Sequence, residues 1–180
     1  MGRLIVFAGL PGSGKSTLAT ALAADLQAVL LNKDVLRAAL FAPEQVEYNS
    51  RQNDFCMDVL YQLVGYHLRH FPERTVIIDG RTYSKRYQVE TLLEWVKQWG
   101  CEFYVLECQA SLETLVKRVE SDKESHLAKD RTVEMVRQAY EHWEQSNYPR
   151  LIVNTDKLNL AEAIELIQEF ILTNETRPAD

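Results

Sequence analysis

Short apolar runs and helical stripes alternate along this chain from its start. Residues 4–8 form a continuous apolar run, as expected of a strand covered on both faces. From 16 to 26 the apolar positions Leu18, Leu22 and Leu26 fall four apart, on one face of a helix. Residues 29–31 predict a second strand, and 34 to about 41 a second helix. Residues 42–50 are polar, include Pro43 and read as a loop. A long helix follows over about 51–69, with Phe55, Val59 and Leu63 at steps of four as its apolar stripe. Residues 75–79 are β-branched and continuous, a third strand. Val89, Leu92, Leu93 and Val96 mark a helix over 85–99 that ends at Gly100. Residues 103–107 predict a fourth strand, and Leu112, Leu115, Val116 and Val119 a further helix. A polar stretch over 121–131 precedes a helix around 133–143 and a fifth strand at 151–153. Asn159 and Glu162 form a capping box that opens a last helix running to about Leu172.

Five short strands, each followed by helices, predict an α/β fold: one five-stranded parallel sheet with helices on both faces. In such three-layer folds ligands bind beyond the carboxyl ends of the strands. The 180 residues suit a single domain over 1–172, with a lid at about 121–131 and a frayed tail over 173–180. Neither repeats nor a dividing linker interrupt the sequence.

Composition narrows the field a little. Hydrophobic residues make up 46% and charged ones 26%, and the net charge of -6 gives no generic footprint for nucleic acid. Cys101 and Cys108 lie in or beside apolar runs and, with Cys56, read as reduced thiols of a cytoplasmic protein. The apolar run after Arg3 is too short for a signal core or a membrane span.

The chemistry enters between the first strand and the first helix. Gly9-Leu10-Pro11-Gly12-Ser13-Gly14-Lys15-Ser16 matches the phosphate-binding pattern G-x-x-x-x-G-K-[ST] in full, in the strand-then-helix context that pattern needs. The glycines let successive N–H groups turn inward around phosphate oxygens, and the helix adds its N-terminal dipole. Lys15 is expected to reach the β- and γ-phosphates, Ser16 to ligate Mg²⁺ and Thr17 to contact the α-phosphate. The expected cofactors are ATP and Mg²⁺.

Three classes of P-loop protein compete: kinases, hydrolytic switches or motors, and modules that only bind nucleotide. A guanine-reading switch needs Asn-Lys-x-Asp late in the chain; here Asn32-Lys33-Asp34 comes early and Val35 takes the fourth place. Motor ATPases place Glu after the strand-terminal Asp, where Asp79 is followed by Gly80. Transfer to a non-water acceptor gains by both. Asp34 and Arg37 are three apart on one helix face, at the carboxyl edge of the sheet. A carboxylate there can take the proton of an attacking hydroxyl, and an arginine can hold the acceptor. The alternative is that Asp34 merely caps its helix.

The run from Gly9 to Leu18 followed by Asn32-Lys33-Asp34-Val35-Leu36-Arg37 resembles the P-loop kinases grouped around polynucleotide 5′-hydroxyl kinases, zeta-toxin-like kinases and chloramphenicol phosphotransferase. The resemblance implies a P-loop NTPase fold with a lid, Asp34 as base and Arg37 as its partner. Val76-Ile77-Ile78-Asp79 with Thr82 is similar to the family's third strand, and Arg86 matches an arginine that opens its next helix. Arg118 falls where the family carries an arginine near the adenine and the lid. A second lid arginine is missing a few residues on, where Lys123 stands; Lys129 or Arg131 are the other candidates. The resemblance spans roughly residues 3–145.

Asp79 has two functional readings, Mg²⁺ positioning through water or base in place of Asp34, and a structural one as a paired buried carboxylate. Arg81, Lys85 and Arg86 either bind an anionic acceptor or form a solvated helix start. Tyr48, Asn49 and Arg51 lie where an acceptor would enter, and Asn154-Thr155 border the adenine or cap a turn. His67 and His70 lack the further ligands of a metal site, and Trp95, Trp99 and Trp143 read as packing residues.

The chain therefore reads as a magnesium-dependent kinase moving the γ-phosphate of ATP to a hydroxyl of a small-molecule acceptor. Lys15, Asp34, Arg37 and Arg118 are the expected catalytic residues, and Asp34, Arg37, Asp79, Arg81 and Arg86 are expected to face the acceptor. A polynucleotide 5′-end or adenylylsulfate is the alternative acceptor, and an ATP-binding or ATPase module the alternative class. No membrane is expected, and the protein is expected to be a monomer or homodimer.

Overall fold

Alternation along β1 (Arg3–Ala8) sorts its side chains to two faces, and each face gathers its own core. Leu4, Val6 and Ala8 point to one side, where α3 (Ser50–His70) and α4 (Arg86–Trp99) pack. Ile5 and Phe7 point to the other, against α1 (Lys15–Asp25) and α7 (Leu160–Thr173). The computed structural model describes residues 2–122, 132–144 and 148–174.

The sheet is five-stranded and parallel in the order β2-β3-β1-β4-β5, with β2 at Val29–Asn32, β3 at Thr75–Asp79, β4 at Glu102–Gln109 and β5 at Leu151–Asn154. β1 pairs with β3 on one side and β4 on the other, so Val6 lies level with Ile78. β2 pairs with β3, setting Asn32 level with Asp79. The five-stranded parallel α/β reading holds, with helices on both faces. A smaller cluster of Leu10, Leu115, Val119 and Val136 joins α5 (Leu112–Ser121) to α6 (Val133–Glu141).

Most element ends lie within two residues of expectation. Gly100 closes α4 in the left-handed conformation, and the Asn159–Glu162 capping box opens α7. The expected loop over 42–50 contains a turn of 3-10 helix at Pro43–Gln45. α3 needs a correction. Phe55 and Leu63 face outward, while Cys56, Met57, Leu60, Tyr61, Val64 and Leu68 face the sheet. The ring of Phe55 meets Phe41 edge-on instead, with centroids 6.0 Å apart. The inward face carries Cys and Tyr, so apolarity alone picked the wrong row.

Cys56, Cys101 and Cys108 are buried free thiols. Trp95 and Trp99 stack at 5.6 Å against the α3–α4 core, and Trp143 packs on the α5–α6 cluster. Of the expected lid only Ser121 and Asp122 belong to the described residues. Lys123, Lys129 and Arg131 lie outside them, as does the tail beyond Asn174. Among the described residues no helix is long and apolar enough to cross a membrane.

Candidate active site

β1 ends at Ala8, and the chain turns through residues 9–14 into α1. Gly14 is the N-cap of that helix at φ 83°, a conformation costly for any other residue, and no side chain caps the first turn. The helix start is thereby left open to anions. Lys15 is buried beneath the loop, with its Nζ 3.4 Å from the Leu10 carbonyl oxygen. Ser13 is buried too, and its Oγ has no hydrogen-bond partner among the described residues.

Two clefts meet at this loop. The first, about 580 Å³, is lined by Gly12, Gly14, Lys15, Ser16 and Thr17, and by Arg118 and Thr155 across from them. Arg118 donates to the Gly12 carbonyl (3.1 Å) and to Thr155 Oγ1 (2.8 Å) and O (3.0 Å). Thr155 Oγ1 in turn donates to the Ser13 carbonyl at 3.1 Å. This latch fixes the loop to the end of β5, and it puts Arg118 beside the wide cleft. Thr155 lines that cleft, while Asn154 continues the turn: its side chain accepts from the Asp156 N–H at 3.0 Å.

The second cleft, about 180 Å³, is lined by Lys15 again with Lys33, Asp34, Arg37, Asn53 and Arg81 among others. Asn32, at the end of β2, caps α2 (Lys33–Leu40): its side chain accepts from Asp34 N (2.8 Å) and Val35 N (3.1 Å). Because Asn32 does the capping, Asp34 is turned to other use. Its Oδ1 receives Arg37 Nη1 at 2.9 Å and Lys33 Nζ at 3.2 Å, and all three side chains are buried. Asn53, from α3, accepts from Lys33 Nζ at 2.7 Å and from Arg37 Nη2. Burial pulls the Lys33 ammonium below the ordinary lysine range; Asp34 opposes the shift, and Arg37 and Lys15 add to it.

Asp79 ends β3 almost fully buried. Its Oδ2 accepts from Asn32 at 2.8 Å, and its Oδ1 has no hydrogen-bond partner among the described residues. An orphaned carboxylate oxygen at the strand end beside β1 fits a hydrated cation. Arg81 pairs with Asp54 of α3, and the Tyr87 hydroxyl lies 3.4 Å from both partners. Lys85 and Arg86 lead away from the cleft. Lys85 pairs with Glu144 at 3.1 Å, and the Arg86 N–H donates to the same carboxylate at 2.7 Å. The Arg86 side chain is exposed and lines neither cleft.

Tyr48 lines the second cleft, Asn49 caps α3 and Arg51 is exposed. Lys33, Asn53, Asp54 and Tyr87 were not singled out as site residues from sequence. The available signal was the polar triplet Gln52-Asn53-Asp54 in the first turns of an otherwise amphipathic helix, beside the Asp34–Arg37 run.

A family model described as AAA domain (AAA_33) matches residues 4–147. No curated protein sequence shows significant similarity to the chain. Among solved structures, the APS kinase CysC of Mycobacterium tuberculosis, in complex with AMPPNP and APS, superposes with a TM-score of 0.69 at 19% identity, covering 97% of this chain and 98% of that one. Kti12 of Chaetomium thermophilum, in complex with ADP-AlF3, gives 0.68 at 22% identity over 93% and 98%. A gluconokinase of Sinorhizobium meliloti 1021 gives 0.67 at 16% identity over 97% and 98%. The fold is that of P-loop NTPase-like kinases.

Proposed function

The chain belongs to the AAA domain family that its residues 4–147 match, and from that premise we propose that it is a magnesium-dependent kinase, cytoplasmic, that moves the γ-phosphate of ATP to the hydroxyl of a small acceptor. The observation that carries this reading is the shared wall at Lys15, which lines both the wide cleft and the narrow one holding Asp34 and Arg37. A triphosphate laid along α1 in the first cleft would present its last phosphate to the second.

Lys15 and the N–H groups opening α1 hold the phosphates, and Arg118 with Thr155 keeps the loop in shape beside the base. Ser16, and Asp79 through water, would hold Mg²⁺, which would supply neutralisation of phosphate charge when bound. Asp34 accepts the proton of the acceptor hydroxyl as that oxygen bonds to the γ-phosphorus and ADP leaves. Arg37 and Lys33 hold Asp34 in place beside the acceptor. Arg118 acts from the nucleotide side, given its bonds to Gly12 and Thr155, rather than from the acceptor cleft. Among acceptors, a polynucleotide end or an adenylylsulfate is less well matched by a cleft of about 180 Å³ than a small metabolite. Gly80, where an ATPase would carry Glu, weighs against hydrolysis.

The test is ADP release over a panel of hydroxyl metabolites and 5′-hydroxyl oligonucleotides, with Asp34→Asn as control. Acceptor-dependent ADP release is expected, and Asp34→Asn should lower kcat by about a thousandfold with AMPPNP affinity retained. Turnover untouched by Asp34→Asn would move the base to Asp79. Release of ADP without any acceptor would sink the kinase reading in favour of an ATPase.

A further inference from the structure

Two cations in the narrow cleft share one carboxylate. Lys33 and Arg37, 9% and 2% exposed, both bind Asp34 and both spend a second donor on the neutral amide oxygen of Asn53. Arg81 has its own partner in Asp54, at the rim. With Lys15 assigned to the triphosphate, three cations face two carboxylates among the described residues lining the cleft. Asp79 does not line it and is bonded to Asn32. Among the described residues one buried positive charge is thus in excess, and such a charge is costly without a counter-ion.

The cleft is prepared for that counter-ion. The Arg37 guanidinium lies 5.2 Å from the Tyr48 ring centroid and that of Arg81 5.8 Å from Tyr87, which restrains both planar forks. Planar forks of this kind match a carboxylate. The volume, about 180 Å³, is below the span usual for drug-sized ligands and suits a small molecule. We propose that the acceptor is a small hydroxy acid whose carboxylate is bound by the Lys33–Arg37 pair while its hydroxyl meets Asp34. The hydroxyl's role rests on the kinase reading; the anion site does not, and it is measured without turnover.

The experiment follows the thermal midpoint of the protein saturated with Mg²⁺ and AMPPNP at constant ionic strength. Glycerate, malate and gluconate are titrated against the neutral polyols glycerol and glucitol. At least one acid should raise the midpoint saturably by roughly 5 °C, with no saturable effect of the polyols. Lys33→Met should abolish the acid's effect and keep the shift from AMPPNP, while Lys33→Arg should restore part of it. The wild-type comparison of acid with polyol decides the matter even if Lys33→Met fails to fold. Equal effects of acid and polyol, no saturable effect of any acid, or an unchanged effect in a folded Lys33→Met would overturn the proposal. An acid that binds with ADP but not with AMPPNP would also overturn it, because the surplus charge would then serve the γ-phosphate. ADP release in the acceptor panel is a separate readout, so the kinase reading can fail while the anion site stands.

Discussion

At the end of β3 the chain turns off the sheet through Gly80 at φ 105°, and a Cβ there would sit 2.9 Å from Lys33 Cβ and 3.0 Å from Lys33 N. These atoms belong to the junction of β2 and α2 and cannot swing aside as a long side-chain end would. A glutamate in this place is therefore barred by packing, and Gly80 has a structural cause besides its bearing on hydrolysis. Gly80→Ala should cost about 2–4 kcal/mol, from the left-handed backbone together with overpacking. It should also lower kcat, since the displaced residue is the neighbour of Asp34. AMPPNP affinity should change little because the phosphate loop hangs from β1. Urea midpoints and ADP-release rates check this, and a variant of wild-type stability and rate would refute it. Lys33 itself was hard to single out, because a lysine in a sequence is read as solvated. Only the fold turns it inward, level with the end of β3.

The short element α2 depends on a single side chain. Asn32 accepts both capping bonds of the helix and makes the one hydrogen bond that the Asp79 carboxylate has among the described residues. Asn32→Ala should thus cost more than loss of a cap alone, about 2–4 kcal/mol in all, because a buried carboxylate loses its donor. Asn49→Ala, at the cap of α3, should cost only about 1 kcal/mol. Equal urea midpoints for the two variants would contradict the double role of Asn32. Elements whose signals are local were legible in advance: the β-branched run of β3, the glycine stop of α4, the capping box of α7. The inward face of α3 was not. Its sheet-facing positions include Cys56 and Tyr61, whereas Phe55 goes outward to Phe41. Asn53 and Asp54 on the same helix face a cleft that exists only once α2 and β3 are beside it. The phosphate loop is one contiguous stretch and could be read directly. The narrow cleft is assembled from α2, α3 and the turn after β3, so sequence supplied Asp34, Arg37 and Arg81 but not their partners.

Across the whole molecule, the parallel sheet brings the ends of β1, β2 and β3 to one edge, and the layers packed on the sheet hold phenols and thiols in their neutral forms. Burial pushes Tyr61 up to about 12, against the Tyr83 bond and Arg81, and pushes Tyr83 well above the ordinary range. Burial also raises Tyr148 and Cys108 to about 12 and Cys101 to about 11. Each of these groups keeps its proton to higher pH folded than unfolded. Their contribution to stability is complete below the unfolded values, 9.0 for the thiols and 10.0 for the phenols, and is lost as pH rises through the folded ones. Lys33 runs the other way: its folded value is lowered, so stability gains as it loses its proton below 10.5. The raised groups outnumber it, and the urea midpoint should hold to about pH 9 and fall steeply towards pH 12. The Tyr61 and Tyr83 hydroxyls lie 3.1 Å apart, so Tyr61→Phe leaves a buried hydroxyl without its partner. That variant should lose about 1–2 kcal/mol at pH 8 yet show a shallower alkaline limb. Urea titrations at pH 8, 10 and 11 separate the two effects, and parallel limbs for wild type and variant would show that the phenol does not drive alkaline unfolding.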